Sequence, residues 1–241
     1  MLLQVFQRPK YKTVAVNFDG TNDYGDLGGD LTGAADGDEL TFVFSVDFTG
    51  GDGNNIKFLV GSGKIFVSKE GAGINKINIS LSNAASTVLT DLTSTTTYTS
   101  SDGWKTFLFS KSGTTLHLYE KDTNVADTPA TNSAGDIDIT PGGWSITTTG
   151  QLLEANVADL WFDASYIDFS VEANRRKFVD SNGRPVYKGT DGSLPTGTAP
   201  LIFLRRGIGD TADSFLTNKG TGGGFTVNGA LSASTNGNPT D

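Results

Sequence analysis

The chain has 241 residues, 36% of them hydrophobic, and its 15 Phe and 3 Trp are enough to build a sizeable core. Its 31 Gly, with many Thr, Ser, Asn and Asp, indicate short strands joined by turns in one large β domain. A formal net charge of −9 argues against a nucleic-acid partner, and the lack of Cys excludes disulfides, Cys-zinc sites and Cys nucleophiles. No apolar run reaches the about 20 residues of a membrane helix. The first six residues are too short for a signal-peptide core, so we expect synthesis in the cytoplasm without membrane insertion.

The first thirteen residues form a basic arm with a proline in its middle. Its cations are Arg8, Lys10 and Lys12. Proline breaks helices and favours an extended path, so the arm is either a frayed terminus or a contact laid on another subunit. In the second case the three cations are assembly residues.

Alternating apolar residues predict a series of short strands after the arm. The clearest is 39–48, where four apolar side chains at every second position face one way. Glycine-rich turns separate the others. The predicted strands, in chain order, are 14–18, 39–48, 56–60, 64–68, 76–81, 95–99, the two strands within 104–120, 136–139, 144–148, 156–163 and 201–204.

The stretch 104–120 predicts a β-hairpin at the centre of the fold. Its first strand carries apolar groups on both faces. The second puts Leu116 and Leu118 on one face and His117 and Tyr119 on the other. A lone hairpin is marginal in water, so we expect a surrounding sheet to bury this one.

The chain changes character after residue 163. The one predicted helix is 170–179, with Ser170 as its cap. Three cations, Arg175, Arg176 and Lys177, lie toward its C-terminal end, where the helix dipole favours positive charge. A Gly-rich tail begins after residue 217. We therefore predict an arm at 1–13, a sandwich at 14–180, and an irregular C-terminal segment at 181–241 that packs on the sandwich and ends in the tail.

Three motifs in order resemble the laminin-G-like, concanavalin A-like jelly-roll domains. The opening strand and turn at 16–24 are similar to the start of such domains. The hairpin at 103–119 resembles their central one, and residues 155–162 with the following helix resemble their closing strand. The resemblance covers 14–179 and implies an all-β fold, an antiparallel jelly-roll sandwich with one short helix and extended termini.

Four further motifs resemble the C-terminal portion of such domains in virion proteins of tailed phages and prophages. They lie at 174–178, 183–186, 192–197 and 200–204. This second resemblance implies a structural protein at a particle surface or in a fibre. The cations of the helix, Arg175, Arg176 and Lys177, are then further candidate contacts to neighbouring subunits.

Laminin-G-like domains often bind Ca²⁺ through loop oxygens, so the resemblance implies calcium as a possible ligand. Asp19, Asn22 and Asp23 could supply oxygens, and so could the turn at 52–55. The alternative is that Asp and Asn are the ordinary residues of turns.

Aromatic side chains beside polar loops suit glycans, because a ring stacks on the apolar face of a sugar. The candidates are Tyr24, Trp144 and Tyr166. Core packing is the alternative for each of them, and it is the interpretation that we favour for Trp104 and Trp161.

No catalytic pattern is found. A glycosidase needs two carboxylates on one face of a strand. The candidate pairs are Asp136 with Asp138 and Asp159 with Asp163, and neither pair has an accompanying Glu in an acidic strand motif. The single histidine, His117, suggests no Ser-His-Asp set.

We therefore predict a non-enzymatic phage virion protein, a decoration, spike or fibre component located in the virion. Its partners would be other virion subunits in a homo-oligomeric or multi-copy assembly, and it could bind host glycan. The alternatives are a free carbohydrate-binding, lectin-like module with a calcium site and, third, a glycosidase with a degenerate motif.

Overall fold

The fold is given by a computed structural model, which describes residue 12 and residues 14–61, 63–140, 142–234 and 236–239. Apart from Lys12, which is exposed, the basic arm lies outside these residues. Arg8 and Lys10 lie outside them too. The subunit contacts predicted for the arm therefore stay a prediction.

Nearly all regular structure in the described ranges is β. The strands are β1 Val16–Asp19, β2 Tyr24–Asp26, β3 Glu39–Phe48, β4 Ile56–Gly61, β5 Ile65–Lys69, β6 Lys76–Ser82, β7 Val88–Thr97, β8 Lys105–Ser112, β9 Thr115–Glu120, β10 Thr123–Asn124, β11 Thr131–Asn132, β12 Ser145–Ile146, β13 Glu154–Asp163, β14 Ile202–Arg205, β15 Thr226–Asn228 and β16 Ser232–Ala233. The helices are α1 Glu172–Arg175 and a 3-10 helix Ala212–Leu216. Neither helix of the described chain is long enough to cross a bilayer.

The strands form two antiparallel sheets that pack face to face as a sandwich. The first sheet has the order β10-β9-β8-β3-β13-β1-β16, and β14 pairs with the second half of β13. The second sheet has the order β11-β7-β6-β5-β4-β12-β2-β15. The predicted fold class, an all-β antiparallel jelly-roll sandwich, is confirmed.

The main core lies between the sheets and is rich in phenylalanine. Every second residue of β3 faces it, so the alternation predicted for 39–48 is confirmed. The Phe44 ring lies 4.9 Å from Phe42, 4.8 Å from Phe58 and 5.1 Å from Phe107 between ring centroids. Packed aromatic rings contribute about 0.5–1.5 kcal/mol per pair beyond their buried area.

A second, smaller core covers the outer face of the first sheet. The sheet contributes Val43, Leu108 and Trp161, and residues 164–200, which we call the covering segment, pack Phe169 and Phe178 onto them. The indole N–H of Trp161 donates to the backbone oxygen of residue 192 at 2.9 Å. The covering segment thereby buries this part of the outer face of the first sheet, which would otherwise be exposed to solvent.

The predicted helix at 170–179 is shorter in the structure, and its cap is different. Helix α1 is a single turn, and Val171 occupies the N-cap position without a side-chain bond. The hydroxyl of Ser170 instead donates to Asp168 at 2.6 Å. The helix ends early because Phe178 and Val179 are buried in the second core, so tertiary packing overrides local propensity.

The C-terminal tail, predicted as Gly-rich chain without strands, contributes to both sheets. Strand β15 pairs with β2, and β16 pairs with β1. The amide of Asn236 donates to Asp47 at 3.1 Å, and Asn238 accepts the backbone N–H of Ala15 at 2.8 Å. The division at 13/14 and 180/181 stays a prediction, although the tail itself is part of the sandwich.

The other strand predictions hold with shifted ends, except near residue 137. There the described chain has an isolated bridge between Gly37 and Ile137 in place of the strand predicted at 136–139. The strand predicted at 95–99 is the end of the longer β7. The strand predicted at 144–148 is reduced to β12.

Candidate functional site

A cleft of about 420 Å³ lies where the chain leaves β13, beside α1 and the loop that precedes β14. Aromatic, hydroxyl, amide, carboxylate and ammonium groups line it together. We call it the Tyr166 cleft, and its lining residues are Asp163, Ser165, Tyr166, Ile167, Asp168, Asn174, Lys177, Pro195, Thr196 and Thr198. It contains three residues singled out in the sequence, which are Tyr166, Lys177 and Asp163.

His117 positions the side chain of Tyr166 through a hydrogen bond. The Nε2 atom of His117 lies 3.0 Å from the Tyr166 Oη atom and 3.3 Å from Asp168 Oδ1. The two rings are roughly parallel, with centroids 6.2 Å apart. The hairpin places His117 on the outer face of the first sheet, as predicted, and its contact with Tyr166 fixes the aromatic side of the cleft.

Electrostatics in this group favour a neutral imidazole beside a charged carboxylate. Burial lowers the pKa of His117, although the Asp168 carboxylate acts in the opposite direction. The hydrogen bond from the Ser170 hydroxyl lowers the pKa of Asp168. Burial raises the pKa of Tyr166, and the charge of Asp168 adds to this, so its hydroxyl stays protonated near neutral pH.

We expect His117 to titrate below the value of about 6.5 for an unperturbed imidazole. Because the unfolded chain then binds the proton more tightly, the stability from this residue is fully present above about pH 6.5 and falls as the pH drops toward the folded pKa. The NMR titration of the single histidine gives its pKa directly.

Unfolding free energies at about pH 7.5 and about pH 5.5 should then differ less in His117→Asn than in the wild type. A His117 pKa above 6.5, or an unchanged pH slope in the variant, would contradict this electrostatic assignment.

The group does not form a nucleophilic triad. The hydroxyl of Ser170 donates to Asp168 and not to His117, so no base is positioned to take its proton. The carboxylate of Asp163 is also occupied, because it accepts Ser165 Oγ at 2.6 Å and the backbone N–H of Leu201 at 3.2 Å. The arrangement is suited to hydrogen bonding and ring stacking.

Trp144, predicted as a glycan-stacking residue, is fully buried, and that prediction is wrong. Its indole N–H donates to the Ile139 oxygen at 3.2 Å, and its ring packs on Phe162 at 5.1 Å between centroids. A Cβ atom at Gly61 would lie 2.8 Å from the indole, so the neighbouring strand leaves room for the ring. No ring face remains for a ligand.

Tyr24 is half-buried in β2, where its backbone pairs with Asn228 of the tail. It is not part of the Tyr166 cleft. The structure therefore does not bring the three predicted glycan residues together, and of the three it is Tyr166 that lines the cleft described above, with polar groups around it.

The predicted calcium turn is stabilised by its own hydrogen bonds. Asp19 Oδ1 accepts the backbone N–H of Thr21 at 2.7 Å. Asp23 is buried, and its two oxygens accept the N–H of Asp19 at 3.1 Å and of Ala230 at 2.9 Å. Asn22 is exposed at the turn. Across the described residues no three Asp, Glu, His or Cys side chains converge as a metal cluster would, so the geometry does not support this turn as a calcium site.

Two of the three predicted assembly cations on the helix are internal contacts. Arg175 is buried, donates to the Phe169 oxygen at 2.6 Å, and lies over the Tyr119 ring at 4.7 Å. Arg175 and Arg176 both donate to Asp122, at 3.2 and 2.6 Å. These bonds attach the covering segment to the hairpin, so the prediction is corrected for Arg175, which is buried, and the subunit contact of the half-buried Arg176 stays a prediction. Lys177 is exposed at the Tyr166 cleft.

Comparison with known proteins finds similarity in structure alone. No protein-family profile matches the sequence, and no curated protein matches it. A candidate carbohydrate-binding protein from Bacteroides ovatus superposes with a TM-score of 0.61 at 8% identity, over 92% of this chain and 58% of that protein. The chain has a concanavalin A-like jelly-roll fold. This chain thus spans little more than half of the Bacteroides protein.

Two other solved structures superpose less well. The heptameric SAP-like pentraxin from Limulus polyphemus gives a TM-score of 0.46 at 13% identity, over 66% of this chain and 80% of the pentraxin. The LG1–3 region of the laminin α2 chain gives 0.45 at 15% identity, over 66% of this chain and 33% of that region. At such identities the similarity concerns the fold.

The sequence signals for the Tyr166 cleft were only partial. Tyr166 was found as an aromatic residue beside a loop, and Lys177 as a surface cation. Asp168, Asn174 and Thr196 were missed, because each is an ordinary turn or helix residue locally. The pairing of His117 with Tyr166 joins positions 49 residues apart, and no local pattern encodes it.

Proposed function

We propose that this protein is a non-enzymatic carbohydrate-binding module and that the Tyr166 cleft is its binding site. The observation that carries the proposal is the joint lining of one cleft by a tyrosine ring and by amide, hydroxyl and charged groups. Sugars need both, because they have apolar C–H faces and polar edges. The match in fold with a candidate carbohydrate-binding protein supports the proposal.

Each group of the cleft has a distinct part in this proposal. The ring of Tyr166 packs on a sugar face while His117 restrains it. Asp168 keeps Oδ2, and Asn174 keeps Oδ1, without a partner in the described part of the chain, and these atoms accept ligand hydroxyls. Lys177 donates from the rim, and Thr196, whose hydroxyl already donates to the Thr198 oxygen at 2.8 Å, lines it.

The module has no hydrolytic role in this proposal. Asp159 and Asp163, the carboxylates considered for glycoside hydrolysis, are each engaged by neighbouring protein groups. This pair therefore does not offer one free carboxylic acid facing a second free carboxylate, as glycoside hydrolysis requires.

Replacing Tyr166 by alanine should reduce glycan binding about tenfold or more, because stacking and the fixed edge of the cleft are lost together. A glycan array probed with the wild-type chain gives the ligand, and calorimetry with that ligand gives the affinities. Asn174→Ala should weaken the same binding. The array is run with calcium and with EDTA, and equal signals are expected.

The matched control is Tyr24→Ala, the same change at the other predicted tyrosine, which should bind as the wild type does. Loss of binding in Tyr24→Ala with full binding in Tyr166→Ala would place the site elsewhere. An array without any bound glycan would contradict the function.

A second proposal is that the module is displayed in many copies on a phage virion, with other virion subunits or a second copy as partners. It is supported by the resemblance of 174–204 to virion proteins and by exposed apolar side chains there and just beyond, Leu194 at 63% and Ile208 at 74% exposure. Mass spectrometry of purified particles tests it. Stoichiometric copies are expected, and absence from intact particles contradicts it.

A further inference from the structure

A second cleft has a volume of about 370 Å³. It is bordered by loops, and none of the described residues that line it is aromatic. It is formed where the turn after β1, the turn after β3 and the loop before β13 meet. We call it the Glu154 cleft, and its lining residues are Gly20, Gly51, Asn54, Asn55, Ile56, Gly150, Gln151, Leu152 and Glu154. Both oxygen-rich turns noted in the sequence contribute to it.

Glu154 is the charged group of this cleft. It lies at the start of β13, opposite Asp19 of β1, and is half-buried. A Cβ atom at Gly50 would lie 2.1 Å from Glu154 Oε1, so the carboxylate rests against bare backbone there. The absence of a side chain at Gly50 therefore leaves room for the Glu154 carboxylate at the cleft.

The carboxylate of Glu154 has no hydrogen-bond or ion-pair partner within the described part of the chain. No Lys or Arg is among the described residues that line the cleft. Lys69, at the end of β5, is buried and donates to Asp52 of the adjoining turn at 2.8 Å. A carboxylate without a protein partner is available to a ligand that brings positive charge and N–H donors, because such charge-assisted hydrogen bonds are among the strongest.

The neighbours of Glu154 complete a set of acceptors. The side-chain amides of Asn54, Asn55 and Gln151 also lack partners within the described residues. An ammonium group has three N–H donors, and one carboxylate with two amide oxygens can accept all three. The amide N–H₂ groups remain for ligand hydroxyls. A cleft of this volume accommodates a sugar ring.

From this set of unpartnered acceptors in one cleft we infer that the Glu154 cleft binds a protonated primary amine, presented by an amino sugar. The inference concerns a different site from the Tyr166 cleft and does not rest on that proposal. A lysine side chain offers the same ammonium, but it lacks the ring hydroxyls that the remaining amide donors can bind. The ligand class is therefore an unacetylated 2-amino sugar.

The test is calorimetry on the full chain with a glucosamine trisaccharide, its N-acetylated counterpart and a lysine-containing tripeptide. The glucosamine trisaccharide should bind, and the N-acetylated form should bind about tenfold more weakly or not at all, because acetylation removes the charge. Glu154→Gln should lose about tenfold or more. The control Glu39→Gln, the same change at an exposed glutamate, should leave binding unchanged.

Three outcomes would overturn the inference. They are equal affinity for both trisaccharides, full affinity in Glu154→Gln, and tighter binding of the tripeptide than of the amino sugar. Binding of calcium alone that depends on Glu154 would also overturn it, since the cleft would then be a metal site.

Because Asn55→Ala lies in a loop, it keeps the test valid if Glu154→Gln does not fold, and it should weaken binding too. Tyr166→Ala should leave amino-sugar binding unchanged, which separates the two sites.

Discussion

Replacing Lys188 by methionine should lower the free energy of unfolding by about 3–5 kcal/mol, the usual result of breaking a buried ion pair. The Lys188 ammonium contacts the Asp159 carboxylate between the covering segment and the first sheet, and the side chains are 0% and 1% exposed. Lys188 contacts Asp159 Oδ2, and Asp159 Oδ1 has no hydrogen-bond partner within the described residues. Without Lys188 a buried charge would stay uncompensated.

Urea unfolding of the wild type and the variant measures this effect. The control Lys177→Met, the same change at an exposed lysine, should alter stability by less than about 0.5 kcal/mol. The double variant Asp159→Leu with Lys188→Met should regain most of the loss, because an apolar pair leaves no buried charge. A loss below about 1 kcal/mol in Lys188→Met would show that the charges are hydrated and that the covering segment is loosely held.

Replacing Trp144 by alanine should cost about 3–5 kcal/mol of unfolding free energy, because it removes a fully buried indole from the main core. The cavity cannot close easily, since Phe162 and the backbone at Gly61 are fixed in neighbouring strands. Glycan binding, measured under conditions where the variant is folded, should be unchanged.

The contrast with Tyr166 makes this experiment informative about the site. Tyr166→Ala should cost about 1 kcal/mol of stability, mainly from its hydrogen bond to His117, while it weakens glycan binding about tenfold or more. The opposite pattern, a stable Trp144→Ala variant that no longer binds glycan, would restore Trp144 as a surface residue.

The strands were predictable from sequence because alternation at every second position is a local signal. Segment 39–48 has the predicted bounds and the predicted inward face. The tail strands β15 and β16 were not predicted. Strands this short are stabilised by backbone hydrogen bonds to β1 and β2, which lie far away in the chain. Their glycine-rich sequence carries no periodic pattern.

The errors in the site have a common physical origin, which is that local context does not report burial. Trp144 follows a glycine-rich turn and resembles a loop residue, yet a glycine on the adjacent strand makes room for it inside. Arg175 and Arg176 resemble a solvated helix end, yet both reach Asp122 in the hairpin. Tyr166 was identified because its aromatic character and polar surroundings are both visible locally.

The measurement that tests the central claim most directly is NMR of the single histidine during titration with the glycan found on the array. His117 contacts Tyr166 at the back of the cleft, so ligand stacking should shift its ring resonances saturably, with the affinity measured by calorimetry. The same titration in Tyr166→Ala should leave the His117 signals unmoved. Calorimetric binding to the wild type with His117 resonances unchanged would contradict the account, because the glycan would then bind away from the Tyr166 cleft.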